Sequence, residues 1–414
     1  MEMLKNYLKI VLRNIKRHKG YSFINIAGLA IGMACTVLIL LWVRDELSYD
    51  RFHENGDNIY RVVADVSFAN NSYHSVIGPP PLAPALKDEF PEIIDSTRFR
   101  KCERMVLKYR EKVFYEDGIV FADPSFLEIF TFPFIKGNPE TALSDPFSLI
   151  VTEEMAQKYF GSEEPINKAM SIDGQLIKVT GVIENIPHNS HLQFDFIISI
   201  QVLNQLGQNL NNWGNSNCHT YVQLQKNADK QDVDQKIAEF LQIKLNIDPK
   251  QVKAKLYLQD LKKIHLNPGI VDQTYAVVGD IKYVYIFSII AFFILFIACI
   301  NFMNLSTARS ANRAKEVGLR KVVGSNRTQL IKQFFGESIL LSSIAYIIAV
   351  ILVVFLIPAF NRLSGKMLTV DFLNYRFILG SVAVILITGL LAGGYPALYL
   401  SSFSPAIVLK GSLK

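Results

Sequence analysis

The chain has 414 residues, a formal net charge of +6 and a hydrophobic content of 50%, enough length for two or three domains. Its basic residues crowd at the ends of long apolar runs and form no stripe interleaved with aromatics, which excludes a nucleic-acid surface. The 4 cysteines and 7 histidines contain no CxxC and no Cys/His cluster with ligand spacing, so composition nominates no metal.

In residues 1–20, Leu4, Tyr7, Leu8, Val11, Leu12 and Ile15 recur at three- and four-residue spacing, with Lys5, Lys9, Arg13 and Lys16 on other faces. The pattern predicts a basic amphipathic helix, either resting on membrane lipid or serving as a packing helix. Residues 21–43 are the first predicted span; Phe23 to Val43 gives 21 residues without Asp, Glu, Lys or Arg. That run is too long for the apolar core of a cleaved leader, and Arg44-Asp45-Glu46 follows it without a small-residue cleavage site. Runs of 22, 22 and 24 residues, Val284–Leu305, Ile339–Phe360 and Phe377–Leu400, predict further spans over 281–308, 337–360 and 377–400. About 20 residues at about 1.5 Å each cross a hydrocarbon core. All four runs are long enough.

Residues 44–280 read as an α+β domain with a stalk. Strands are predicted at Ile59–Val66, Arg104–Lys108, Lys112–Tyr115, Gly118–Ala122, Ser148–Val151, Ile177–Ile183 and Ala254–Leu258, and helices at Leu82–Glu89 and 232–243. Thr152 suits the N-cap of a helix through Tyr159, and Asp173-Gly174 a hairpin turn. No residue is nominated as catalytic or cofactor-binding. His188 and His191 sit close together, but without a carboxylate or cysteine constellation they do not make a metal site. Cys102 and Cys218 leave a disulfide open.

The flanking charges set the orientation. Lys5, Lys9, Arg13, Lys16, Arg17 and Lys19 precede the first span; Arg309, Arg313, Lys315, Arg320, Lys321, Arg327 and Lys332 lie between the second and third. The positive-inside rule places both segments, and the tail 401–414, in the cytoplasm of a bacterial inner membrane. The domain 44–280 and the loop 361–376 then face outward, the loop in spite of Arg362, Lys366 and Arg376. The spans carry no ionisable group at mid-depth, which disfavours ion-coupled transport and favours helix contacts through small residues such as Gly28 and Gly32.

The segment 309–336 is short, basic and amphipathic. Val317, Leu319, Val322 and Val323 are apolar positions that a solvated connector does not need, and they suit docking into a groove on a cytoplasmic partner. Its core, Arg313, Glu316, Val317, Gly318, Arg320, Lys321 and Gly324, followed by Phe335 and Glu337, resembles the cytoplasmic loop of the MacB/FtsX-type ABC permease family. Arg13-Asn14, the stretches from Gly20 to Asn25 and from Gly28 to Gly32, Gly394-Tyr395-Pro396-Ala397 and Phe403-Ser404-Pro405-Ala406 extend the resemblance to the long permeases of Bacteroidetes-like bacteria. The resemblance implies a four-helix membrane part carrying a MacB-like periplasmic core domain, and a coupling loop that receives motion from a separate ABC ATPase. It implies a homodimer or a pairing with a second permease half, a periplasmic adaptor, and export or efflux of peptide, drug or lipoprotein cargo by mechanotransmission. The chain itself shows no G-x-x-x-x-G-K-[ST], so ATP hydrolysis is expected in the partner. The chain is expected to be either a half-length permease or the first half of a longer one. A membrane-anchored envelope regulator or sensor is the alternative.

Overall fold

The computed structural model describes residues 19–68, 71–270, 277–308, 317, 319, 321–323 and 325–402. The predicted amphipathic helix before residue 19, apart from its last residues, and the tail after residue 402 lie outside them. The chain divides into two compact units, one formed by the residues up to Asp45 with those from Lys282 onward, the other by Glu46–Ile281.

Helix α1 (Lys19–Glu46) leads into the α+β unit. The strands there are β1 (Ile59–Phe68), β2 (Asn71–Ser75), β3 (Ile77–Gly78), β4 (Ile93–Lys101), β5 (Met105–Tyr109), β6 (Lys112–Glu116) and β7 (Ile119–Ala122), then β8 (Phe134–Gly137), β9 (Ser148–Thr152), β10 (Ala169–Ile172), β11 (Gln175–Ile183), β12 (Phe196–Ser199), β13 (Cys218–Leu224) and β14 (Val252–Asp260). Between them run the short helices α2 (Leu82–Glu89), α3 (Phe126–Ile129), α4 (Glu153–Phe160), α5 (Val202–Gln205), α6 (Lys230–Ile237) and α7 (Phe240–Lys244). One mixed sheet joins the strands in the order β14-β1-β13-β4-β7-β12-β9-β11-β10-β5-β6, with β2 on β1, β3 on β13 and β8 on β11. The pairs β7–β12 and β9–β11 are parallel.

Side-chain alternation builds the core. On β1, Val62 and Ala64 pack with Leu86, Val233 and Ile237 beneath α2 and α6, whereas Ile59 and Val63 join Phe126, Phe130 and Leu261. Asp173 and Gly174, at φ +46° and +88°, close the β10–β11 hairpin as predicted. The helix expected over 232–243 is instead split into α6 and α7, because the N–H of Leu256 on β14 takes the carbonyl of Ala238 at 2.9 Å.

A polar cluster is enclosed in this unit. Asp50 Oδ1 lies 2.9 Å from His191 Nδ1 and accepts the His191 backbone N–H at 3.0 Å, while His191 Nε2 meets the Tyr221 hydroxyl at 2.8 Å. Burial pushes the Asp50 carboxyl up, but the charge and hydrogen bonds of His191 outweigh it and hold the group below the usual carboxylate value. His53 accepts the Thr131 N–H at Nδ1, and His219 donates from Nδ1 to Val76 O at 3.1 Å. Burial lowers the His53 ring to about 4; burial, with the charge of Arg61, lowers His219 to about 3. Unfolding frees both rings to take up protons below about pH 6.5. The unfolded state therefore binds more protons than the native one as pH falls, and stability drops between about pH 6.5 and about pH 4, by up to roughly 3 kcal/mol per ring. Asp50 adds to the loss only at lower pH, as its depressed carboxyl titrates. Chemical denaturation of the solubilised Trp42→Phe chain, followed by Trp213 fluorescence across pH, should show this decline, and His53→Gln should flatten it by about half.

The second unit contains α1, α8 (Ile281–Ala308), α9 (Arg327–Ser364) and α10 (Tyr375–Ser402), and all four helices are long and apolar enough to cross a membrane. Helix α9 starts ten residues before the predicted span at 337, behind a capping box in which Asn326 and Gln329 satisfy each other's backbone N–H groups. Gly365, at φ +67°, ends it in the left-handed conformation. Helices α1 and α8 meet through small residues. A Cβ on Gly32 would stand 2.6 Å from Ala298 Cβ, whereas one on Gly28 would meet Asn301 Nδ2 at an ordinary 3.5 Å. Thr36 Oγ1, one turn on, donates to Gly32 O at 2.8 Å and lies 3.3 Å from Ala291 O. Gly32→Ala should therefore cost about 1–3 kcal/mol by overpacking, Gly28→Ala almost nothing, and Ala298→Gly should restore the Gly32→Ala chain. Thermal unfolding of the solubilised protein measures all three.

Candidate functional site

Of the seven residues the sequence nominates for coupling, Val317 and Lys321 are described; Arg313, Glu316, Gly318, Arg320 and Gly324 lie outside the described residues. Positions 317, 319, 321 and 322 are helical. Helical geometry divides the apolar residues that the sequence reading groups on one docking face. Residues 317 and 321 fall on one side, and 319, 322 and 323 on the other.

The burial follows this division. Val317 is 3% exposed and packs with Leu330 and Phe334 of α9 and Ala397 of α10, with Phe335 against the cluster. The expectation that Val317 is an open docking residue is therefore corrected: it is an anchor. Leu319, Val322 and Val323 are 60%, 60% and 82% exposed. Further along α9, Glu337 is buried and accepts from Gln333 Nε2 at 3.1 Å. One short segment thus carries two apolar surfaces, one filled by its own helices and one open.

Of the three basic residues at the connection between α9 and α10, Lys366 is held in an ion pair. Lys366 Nζ lies 2.9 Å from Asp45 Oδ2, with both side chains nearly buried. Asn361 holds the loop closed by donating to Leu368 O and accepting the Leu368 N–H, each at 3.0 Å. Sequence reasoning misses this pair because 321 positions separate its members.

Among the described residues, no group of three His, Cys, Asp or Glu side chains comes together as a metal site. Asp50, His191 and Tyr221 have the makings of a proton relay, but all three are fully buried, so they serve the fold. Cys102 and Cys218 are free thiols, which answers the disulfide left open. Burial pushes both up, Cys218 to about 11.

The model of the MacB-like periplasmic core domain matches residues 22–240, and that of the FtsX-like permease C-terminal region matches 288–405. Among curated proteins, the macrolide export ATP-binding/permease protein MacB of Campylobacter jejuni is 31% identical over 121 residues, 29% of this chain and 18% of that one. The chain thus spans less than a fifth of the length of that relative. The ABC transporter permease YvrN of Bacillus subtilis is 22% identical over 98% of this chain and 99% of its own. Solved structures include a domain of a permease protein from Porphyromonas gingivalis, 24% identical with a TM-score of 0.45, covering 51% of this chain and 92% of that one. The periplasmic region of MacB from Actinobacillus actinomycetemcomitans is 14% identical with a TM-score of 0.39, covering 50% and 91%. The core-domain model alone takes in more than half of the chain, and with the permease model behind it the chain belongs to the MacB/FtsX-type ABC transporter permease family.

Proposed function

We propose that this permease transmits ATP-driven motion from a separate ATPase subunit to its extracytoplasmic domain, and that residues 317–323 are the point of entry. The observation that carries the reading is the two-sided segment. Val317 ties it to α9 and α10, and Leu319, Val322 and Val323 stand open to a partner. A push on the open face then moves the helices, because the anchored face has no slack.

The working unit is a permease dimer, or a pairing with a second permease half, bound to two ATPase subunits. Both termini and the coupling segment lie in the cytoplasm. Cargo such as peptides, drugs or lipoproteins is handled by the extracytoplasmic domain, with or without an adaptor, and does not cross through the helices. Within the described spans, the apolar stretches offer no charged mid-depth path.

The two faces should respond differently to mutation. Leu319→Asp with Val323→Asp should weaken co-purification with the cognate ATPase by a factor of about 30 or more, the scale of a lost hot spot, while leaving thermal stability unchanged. Val317→Asp should lower the unfolding temperature whether or not the ATPase is present. Wild-type chain that captures no ATPase, or equal effects of the two changes, would count against the reading and favour the envelope regulator.

A further inference from the structure

The chain leaves α1 at Glu46 and runs back toward α8 through the residues after Ile264, and one imidazole joins these two passages. His265 Nε2 lies 2.8 Å from Glu46 Oε2, and His265 Nδ1 lies 2.6 Å from the carbonyl oxygen of Val277. The two side chains are 2% and 6% exposed. Tyr49, on the outgoing passage, stacks on the ring at 3.3 Å between centroids with planes 3° apart. Gly279, on the returning passage, donates its N–H to His265 O at 2.7 Å. A Cβ at Gly279 would lie 2.6 Å from Glu46 Oε2 and 2.9 Å from His265 Nε2, so only glycine lets the passages approach this closely.

The proton count follows from the partners. A backbone carbonyl only accepts, and so does an ionised carboxylate, whereas a neutral imidazole carries a single N–H. Two acceptors facing the two ring nitrogens require one proton more. Either the ring is an imidazolium, or the carboxyl holds the proton and donates it to Nε2. In both forms the extra proton sits between Glu46 and His265.

We propose that this contact is a proton-operated clasp: with the proton in place the outgoing and returning passages are tied together, and with the proton lost they part. Loss leaves a nitrogen lone pair facing an oxygen acceptor in a dry site, which turns a charge-assisted bond into a repulsion. Among the described residues, Glu46 and Tyr49 of the outgoing passage are the titratable groups seen in contact with the ring. On the returning side the contacts come from the Val277 carbonyl and the backbone of Gly279, with Asp280 next in the chain. Lys262 and Lys263, just before the ring, are paired with Asp57 and Asp260. The clasp does not depend on the transmission reading, since it joins two parts of the extracytoplasmic domain whether or not an ATPase drives the helices.

The test is hydrogen–deuterium exchange of the full chain in lipid nanodiscs at about pH 5 and about pH 8, corrected for intrinsic rates. In the wild type, residues 46–53 and 277–281 should exchange about ten- to a hundredfold faster at the higher pH, the scale of one charge-assisted hydrogen bond, with 148–183 unchanged. His265→Asn should remove the protection at both pH values. Glu46→Gln should keep it at both, because the amide donates to Nε2 and leaves the ring N–H for Val277. Equal corrected protection at both pH values in the wild type overturns the proposal. So does a wild-type pH dependence in Glu46→Gln, or a His265→Asn effect that spreads equally to 148–183.

Discussion

Helices surrounded by hydrocarbon gain nothing from burying apolar surface against one another, because lipid tails are as apolar as leucine. Contact must come from shape. In this chain glycine supplies the shape: Gly32 lets α1 close on Ala298 of α8, and Gly389 and Gly393 let α10 close on Ile339 and Ser338 of α9. At these glycines there is no room even for an added methyl group, so the paired helices pack closely against each other. Under the proposed transmission, that close fit is what gives the anchored Val317 mechanical meaning. A segment bound to Leu330, Phe334 and Ala397 can displace α9 and α10 only if those helices do not deform instead.

The α+β unit follows a different rule, because its interior accepts polar groups that bond to one another. Arg61, fully buried on β1, donates from Nη2 and Nε to Gln259 Oε1 on the neighbouring β14 at 2.6 and 3.1 Å. Asp50 is held in the left-handed backbone region at φ +57°, a conformation costly for a residue with a Cβ. Its bonds to His191 and the bond from its own N–H to Asn189 O, at 2.9 Å, offset that cost. The stretch just after α1 is thus fastened to the 187–191 loop by hydrogen bonds rather than by an apolar plug. Such fastenings are directional and sensitive to protons, and apolar packing is neither.

How much of this was legible in the sequence depends on how each element announces itself. The four apolar helices were plain, since a charge-free run of more than 20 residues is longer than a globular core needs and matches the thickness of a bilayer. The β1 strand, helix α2 and the β10–β11 hairpin were also legible, from alternation, a proline stop and Asp173-Gly174. Strands β2, β3, β4, β8, β12 and β13 are not among those read from the sequence. All four residues of β12 are buried, as are six of the seven in β13, so neither has an alternating polar face, but β7 and β9 are buried throughout as well and were legible, so burial alone does not separate the two groups. The closeness of His188 and His191 was visible along the chain, but the carboxylate that His191 binds lies 141 positions away and carries no local sign. Glu46 and His265, 219 positions apart, are the same case.

The segment proposed for coupling shows why composition alone misreads such a stretch. Val317, Leu319, Val322 and Val323 look like one greasy patch when read along the chain. At about 100° per residue they cannot share a face, and the fold uses Val317 inward and the other three outward. An element with only an inward face would be a passive connector, and one with only an outward face would bind a partner without moving anything. Transmission needs both on a rigid scaffold of a few residues, where a displacement at one face reaches the other undiminished. About two turns of helix, the length from Val317 to Val323, meet this condition in a short piece of chain, because the helical repeat fixes the angle between the two faces.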